Sequence, residues 1–338
     1  MVKEKTAKNL NLTEGSPLKL ILLFAIPVFL GRLFQMMYSL IDTKIVGSIL
    51  GEQALAAVGS VSILYNLLTG IFSGFTLGFS IVIAQKFGSG NKKLLKKNEA
   101  SSILLGMITA VVIVFAVLLF LNPILHLMNV PKEQFAMALM SSLVNCGTLI
   151  LQTGINTLGT NIIVAHTAAR KVFEIFSLPV SVFGASMATY CGQNYGAGKY
   201  DRIRQGLKAV IGIGCVFSVI IFILSHTISP YLISFIASSD NEEVIYWGTQ
   251  YLVYDMSFQV VCVFIVILRN SLQGIGDQRT PVFSSFIEMA GKVVFTLVFV
   301  RIFGYWAVIW TEPVIWICMV IPMIVTAARN PVLFGKEK

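Results

Sequence analysis

Among the carboxylates inside or beside long apolar stretches of the chain, four are candidates for chemistry: Asp42, Asp255, Glu288 and Glu312. A charge in such surroundings is costly and by default functional. Proton or cation uptake is the chemistry that fits, because either one relieves the desolvation of a buried carboxylate. Asp42 is the first choice for such chemistry; the competing reading pairs it with Lys44 at a helix end. Asp255 lies in Tyr251-Leu-Val-Tyr-Asp-Met-Ser-Phe258, where Tyr251, Tyr254 and Phe258 supply ring faces for a cationic substrate. Its alternative is satisfaction by neighbouring polar side chains. Glu288 and Lys292 are four residues apart and share a helical face, which suits mutual neutralisation, with Glu288 also a candidate for the substrate cavity. Glu312 precedes Pro313 and either lines a cavity or caps a helix break. Arg32 is an ion-pair partner or a snorkelling side chain. Gln35, Gln152 and Asn156 are neutral hydrogen-bonding groups suited to helix contacts or to the substrate.

Other chemistries lack their residues. His126, His166 and His226 are isolated, and the five cysteines are scattered singly without a CxxC or Cys/His spacing, so no metal site or disulfide framework is indicated. The glycine turns at 88–90 and 196–198 lack the strand–helix context of a phosphate loop, and no GxxxxGK[ST] motor motif occurs. No nucleophile–base constellation suggests an enzyme, and no cofactor is expected beyond a coupling ion.

The elements that position these groups are apolar. Of 338 residues 56% are hydrophobic and only 12% charged, and mean hydropathy is +0.81. A soluble chain carries about 25% charged residues. An all-α polytopic membrane protein follows, with roughly 190 apolar residues sufficing for about nine spans of ~20 residues. Apolar runs lie near 18–41, 54–85, 100–125, 138–165, 172–193, 209–236, 245–268, 281–300 and 303–327. The net charge of +9 arises from clusters beside these runs, as cytoplasmic loops of membrane proteins require, and not from a nucleic-acid footprint. The basic start is not followed by a short apolar segment and cleavage site, so the first run is expected to stay in the membrane.

Sliding the chain against itself by 108 residues shows a repeat. Gly51 falls on Gly159, Gln85 on Gln193, Gly88 on Gly196 and Gly90 on Gly198. The second copy continues through three more apolar runs to about residue 327, whereas the first has no counterpart of roughly 245–327, which reads as an internal deletion near 138. Charge points the same way. Nine spans with the N-terminus inside put 12 Lys and Arg inside and 11 outside. If the polar run 138–165 does not cross, the counts become 18 and 5. The positive-inside rule favours the second arrangement, which puts the turns at 86–98 and 194–208 on one side. The expected count is therefore eight to nine helices.

These residues resemble a known family. Leu12-Thr-Glu-Gly-Ser-Pro17, Phe24-Ala-Ile-Pro27, Asp42-Thr43, Ala54-Leu-Ala-Ala-Val-Gly59, Gly192-Gln-Asn-Tyr-Gly-Ala-Gly-Lys-Tyr-Asp-Arg202, Gln273-Gly-Ile-Gly-Asp277 and Trp310-Thr-Glu-Pro313 look like the MATE (multidrug and toxic compound extrusion) transporters. The resemblance implies two helical bundles around a central cavity. Here residues 1–137 would form a partial first bundle of three helices, and 138–338 a second of about six. It implies antiport at the plasma membrane, with the N-terminus cytoplasmic: a cationic or amphipathic organic compound leaves as Na⁺ or H⁺ enters. Asp42 matches the family's acidic position on the first helix, which the resemblance implies takes the coupling cation or proton, and its family partner lies on a helix this chain lacks. Two further readings fit the shortened plan: a flippase-like transporter of a lipid-linked substrate, and a transport-inactive remnant or partner of an intact homologue. Partners are small organic cations and the bilayer, with no nucleic acid, and the sequence leaves the oligomeric state open.

Overall fold

The computed structural model describes residues 11–91, 93–102, 104–106, 144, 147–148 and 150–334, with side chains for all of these except 39–68, 71–72 and 75. It is helical, with no strand among the described residues. The order is α1 (Pro17–Gly88), α2 (Thr160–Gly196), α3 (Tyr200–Ala237), α4 (Glu242–Ser257), α5 (Gln259–Gly274), α6 (Arg279–Val294), a π-helical turn (Phe295–Phe299), α7 (Val300–Phe303) and α8 (Tyr305–Arg329). Residues 93–102 and 150–156 are helical as well.

Among the described residues four helices are long and apolar enough to cross a membrane: Pro17–Tyr38 of α1, α2, α3 and α8. A fifth is the pair α4 and α5, bent by 55° at Phe258. The run 281–300 continues through α6, the π turn and α7 to Phe303. The run 100–125 lies largely outside the described residues.

Two boundaries differ from the expected runs. The loop anticipated between 18–41 and 54–85 is helical, so both runs lie in α1, 72 residues long. Residues 42–53 contain no proline, so no backbone donor is lost there. The run 138–165 is instead divided. Its helix 150–156 ends in a tight turn, with Thr157 N–H donating to the Gly154 carbonyl and Leu158 N–H to that of Ile155. Gly159 then takes φ 101°, and α2 starts at Thr160.

The repeat is visible as a reciprocal contact. A Cβ on Gly88 would overlap the backbone carbonyl of Gln193, and a Cβ on Gly196 would overlap that of Gln85. Between these pairs a Cβ on Gly192 would sit 3.2 Å from the Cβ of its own repeat mate, Ala84. Contacts that pair each position with its image, or with the image one turn away, describe two helices crossing in parallel about a local pseudo-twofold axis. Both helices end in the same turn, with Gly90 at φ 71° and Gly198 at φ 70°. The two glycine turns therefore share one end of the assembly.

At that end the chain's first described residues form a strap. Leu12 is buried in the core cluster with Ile21, Tyr190, Ile203, Leu207 and Leu333. Its N–H donates to Gln193 Oε1 (2.8 Å), and its carbonyl accepts from Asn194 Nδ2 (3.1 Å) and Arg202 Nη2 (3.3 Å). Lys199 Nζ donates to the Thr13 carbonyl (3.0 Å) and Arg202 Nη1 to that of Gly15 (2.7 Å).

Candidate functional site

Three helices each aim two polar groups inward, one turn apart, because side chains at i and i+4 share a face. They are His166 and Arg170 on α2, Tyr251 and Asp255 on α4, and Glu288 and Lys292 on α6. From α5 comes Arg269, from α8 Tyr305 and Glu312, and from the segment before α2 Thr148. All but Thr148 converge from helices that also bury the apolar core.

Lys292 is the hub and is only 3% exposed. Its Nζ lies 2.9 Å from Glu288 Oε1 and 3.3 Å from Glu312 Oε1, and it donates to Thr148 Oγ1 at 3.2 Å. Glu288 also faces Arg269, whose Nη2 is 3.8 Å from its Oε2 and donates to Ser284 Oγ at 3.3 Å. One ammonium thus ties α6, α8 and the 147–156 segment together, and Arg269 adds α5. Just beyond Lys292 the helix widens into the π turn, where Thr296 Oγ1 donates to the Lys292 carbonyl at 2.7 Å. A threonine bonded back to the preceding turn competes with the helical ladder, and π turns recur at functional sites.

Asp255 is fully buried; among the described residues neither carboxylate oxygen has a hydrogen bond of regular geometry, and the Tyr251 hydroxyl one turn away is the donor set against it. Its charged surroundings are Glu312, Arg170 and Lys292. Beside it Arg170 Nη1 donates to the Tyr251 hydroxyl at 3.4 Å, and His166 Nδ1 is 3.1 Å from the Tyr305 hydroxyl. His166 also meets the Tyr251 ring edge-on, with centroids 4.8 Å apart. Gln259, across the bend at Phe258, is buried, and among the described residues no donor reaches its Oε1. The set contains three carboxylates (Asp255, Glu288, Glu312) and three fixed cations (Arg170, Arg269, Lys292). It balances in sum but not in place: Glu288 faces two cations, Glu312 shares one, and Asp255 is bonded to none. A small cation or proton is the species that an unsatisfied buried carboxylate accepts.

Outside this set, rings form a wall. Tyr254 meets Trp306 and Trp310 at 5.7 and 5.3 Å, and Phe258 meets Trp310 at 6.0 Å. Next to it Phe295, Phe299, Phe303, Trp306, Ala307 and Trp310 line an apolar cavity of about 350 Å³.

The structure thus brings Asp255 and Glu288 into one network and puts Tyr254 in the aromatic wall instead. Gln152 Nε2 donates to Asn156 Oδ1 at 2.8 Å, and the two lie outside the network. Gln35 is exposed on α1. The Asp42 backbone lies in α1, and its side chain is outside those described. The sequence reading counts Arg170 and Arg269 among the loop charges and His166 among isolated residues, whereas all three lie within helices and face this network; the available signal was the i, i+4 spacing of His166 and Arg170. Among the described residues no group of three His, Cys, Asp or Glu side chains could hold a metal.

Known proteins share this chain's pattern. The MatE family model matches residues 27–140 and 136–298. A Bacillus subtilis (strain 168) protein described as a probable multidrug resistance protein, YoeA, is 32% identical over 111 residues, which is 33% of this chain and 24% of that relative. The match thus spans about a quarter of the relative's length. The structure is similar to the outward-facing conformation of a multidrug resistance MATE family transporter of the MOP superfamily, with TM-score 0.79, 16% identity, and 99% and 100% of the two chains covered. It is also similar to a MOP superfamily transporter from Pyrococcus furiosus, at TM-score 0.75 and 16% identity with 96% and 99% covered. A Vibrio cholerae MATE transporter gives TM-score 0.75 at 12% identity, with 93% and 98% covered. With the family model matching most of its length, the chain belongs to the MATE family of transporters.

Proposed function

We propose that this chain is an antiporter that exports cationic or amphipathic organic compounds across the plasma membrane as Na⁺ or H⁺ enters, with the N-terminus in the cytoplasm. The observation that carries the reading is Asp255, a fully buried carboxylate with no cation in ion-pair contact among the described residues, beside Glu288 and Glu312, which both pair with Lys292. An entering cation or proton satisfies it, and repacking of α4 and α5 at their bend passes that event to the rest of the bundle. Asp42 is a second coupling candidate on α1. The aromatic wall of Tyr254, Trp306 and Trp310 suits the substrate's ring systems and positive charge.

The shared end of the two glycine turns supports the arrangement with an odd number of crossings between them and the start of α2. In that arrangement the basic turns 86–98 and 194–208 both face the cytoplasm. The two family matches meet at 136–140, which supports a first bundle of residues 1–137 and a second of 138–338.

Ethidium efflux from cells expressing the chain, with an imposed sodium or pH gradient and without one, tests the proposal. Gradient-dependent efflux is expected, abolished by Asp255→Asn. Absence of such efflux despite good membrane expression would overturn it.

A further inference from the structure

Lys292 carries more than a structural pairing. Its ammonium sits between two carboxylates on different helices, 2.9 Å from Glu288 and 3.3 Å from Glu312, and is 3% exposed. Glu288 has a second cation in Arg269, so it stays compensated whichever way Lys292 moves. Glu312 has no other cation within ion-pair distance among the described residues, and Asp255, which feels both Glu312 and Lys292, is bonded to none. A long, flexible ammonium between a doubly served acid and a singly served one is a movable charge. The π turn just after Lys292 puts an irregular helical turn on one side of the bridge, and on the other Pro313, next to Glu312, takes one backbone donor out of α8.

We propose that Lys292 is a tethered cation that competes with the transported ion for the Glu312 and Asp255 carboxylates. With the site empty it bridges Glu288 and Glu312. When a monovalent cation enters between Asp255 and Glu312, Lys292 is displaced wholly onto Glu288, loosening the tie between α6 and α8. The groups facing it from every packed element are Arg170 on α2, Asp255 on α4, Arg269 on α5, Glu288 on α6, Glu312 on α8 and the neutral Thr148. Lys292 is thus a positioning residue that sets ion affinity. This rests on the coupled-transport reading for its purpose, but not for its measurement.

The test is ion binding to the purified full chain in detergent. Thermal unfolding is followed while NaCl replaces choline chloride at constant ionic strength and constant alkaline pH. Lys292→Met removes the competitor, and the sodium concentration giving half-maximal stabilisation is expected to fall at least tenfold, the effect of losing one nearby positive charge. Lys292→Arg keeps the charge and holds the midpoint within about twofold. Because Lys292→Met alone leaves a buried charge uncompensated, the double variant Lys292→Met/Glu288→Gln removes both partners of the 2.9 Å pair and preserves the charge balance. It too is expected to bind sodium at lower concentration than the wild type. A folded double variant with an unchanged midpoint, or without any sodium response, would overturn the proposal. Sodium binding shifted as expected in a protein that exports no ethidium would support the tethered cation while rejecting the antiport reading.

Discussion

The two copies of the repeat agree where they touch and differ where they do not. Residues 85–90 and 193–198 have the same backbone: equivalent glycines at equal φ, equivalent capping hydrogen bonds and reciprocal crossing contacts. Upstream they part, since the helix runs straight through Gly51 but is broken at its image, Gly159. Side chains part as well. Arg202 holds the strap by two backbone carbonyls and Asn194 Oδ1, whereas its image is the exposed Leu94. Gln193 accepts from Leu12 N–H, whereas its image Gln85 donates to the Gly274 carbonyl at 2.8 Å. Duplication preserved the crossing, which both copies must satisfy at once, and left the surrounding positions free to specialise.

The crossing gives the largest expected effect. Gly88→Ala and Gly196→Ala each drive a methyl group into backbone rather than into a flexible side chain. Each is expected to cost roughly 3 kcal/mol, the upper end of ordinary overpacking. Thermal unfolding in detergent measures it, and the two losses should agree. A benign substitution at either glycine would break the equivalence of the copies.

The strap gives the next. Arg202→Leu installs the first copy's residue in the second and removes three hydrogen bonds from a charged donor. About 2 kcal/mol of local stability should go with them. Hydrogen exchange at the Leu12 and Thr13 amides reports it directly, and unchanged protection would mean that burial of Leu12 alone holds the strap.

The same contrast between local and distant contacts explains what could be read from residues alone. Both glycine turns were legible, since φ near +70° is a local demand that glycine meets. The Glu288 and Lys292 pair was legible from its spacing, and Asp255 from an acid in an apolar run. The second bond of Lys292, to Glu312, depends on how α6 packs against α8, and no spacing encodes it. Arg170 and Arg269 join for the same reason. Tyr254 neighbours Asp255 in sequence, but successive residues point about 100° apart around a helix, so the two were not separable into different faces without the packing. Asp255 therefore faces the network and Tyr254 the aromatic wall. The break at Gly159 and its absence at Gly51 were equally unreadable, because identical residues stand at both.

Smaller effects sharpen the comparison at the turns. Gly90→Ala and Gly198→Ala meet no atom within 4 Å, so only the left-handed backbone resists them. About 1 kcal/mol each is expected, equal in the two copies, by the same unfolding measurement. A larger loss at Gly198 would show that the strap tightens its own turn.

The smallest effect is the reverse exchange. Leu94→Arg gives the first copy the arginine of the second, on an exposed site where Asn91 Oδ1 already caps the Leu94 N–H at 3.1 Å. The strap carbonyls that Arg202 grips belong to Leu12 and Gly15, and both are engaged at the second turn. The substitution should change stability by less than about 0.5 kcal/mol. Combined with Arg202→Leu, it should leave exchange at Leu12 as fast as in the single variant. Restored protection in the double variant would mean that either turn can bind the strap, and the specialisation of the second copy would then lie in its upstream break at Gly159 and not in its arginine.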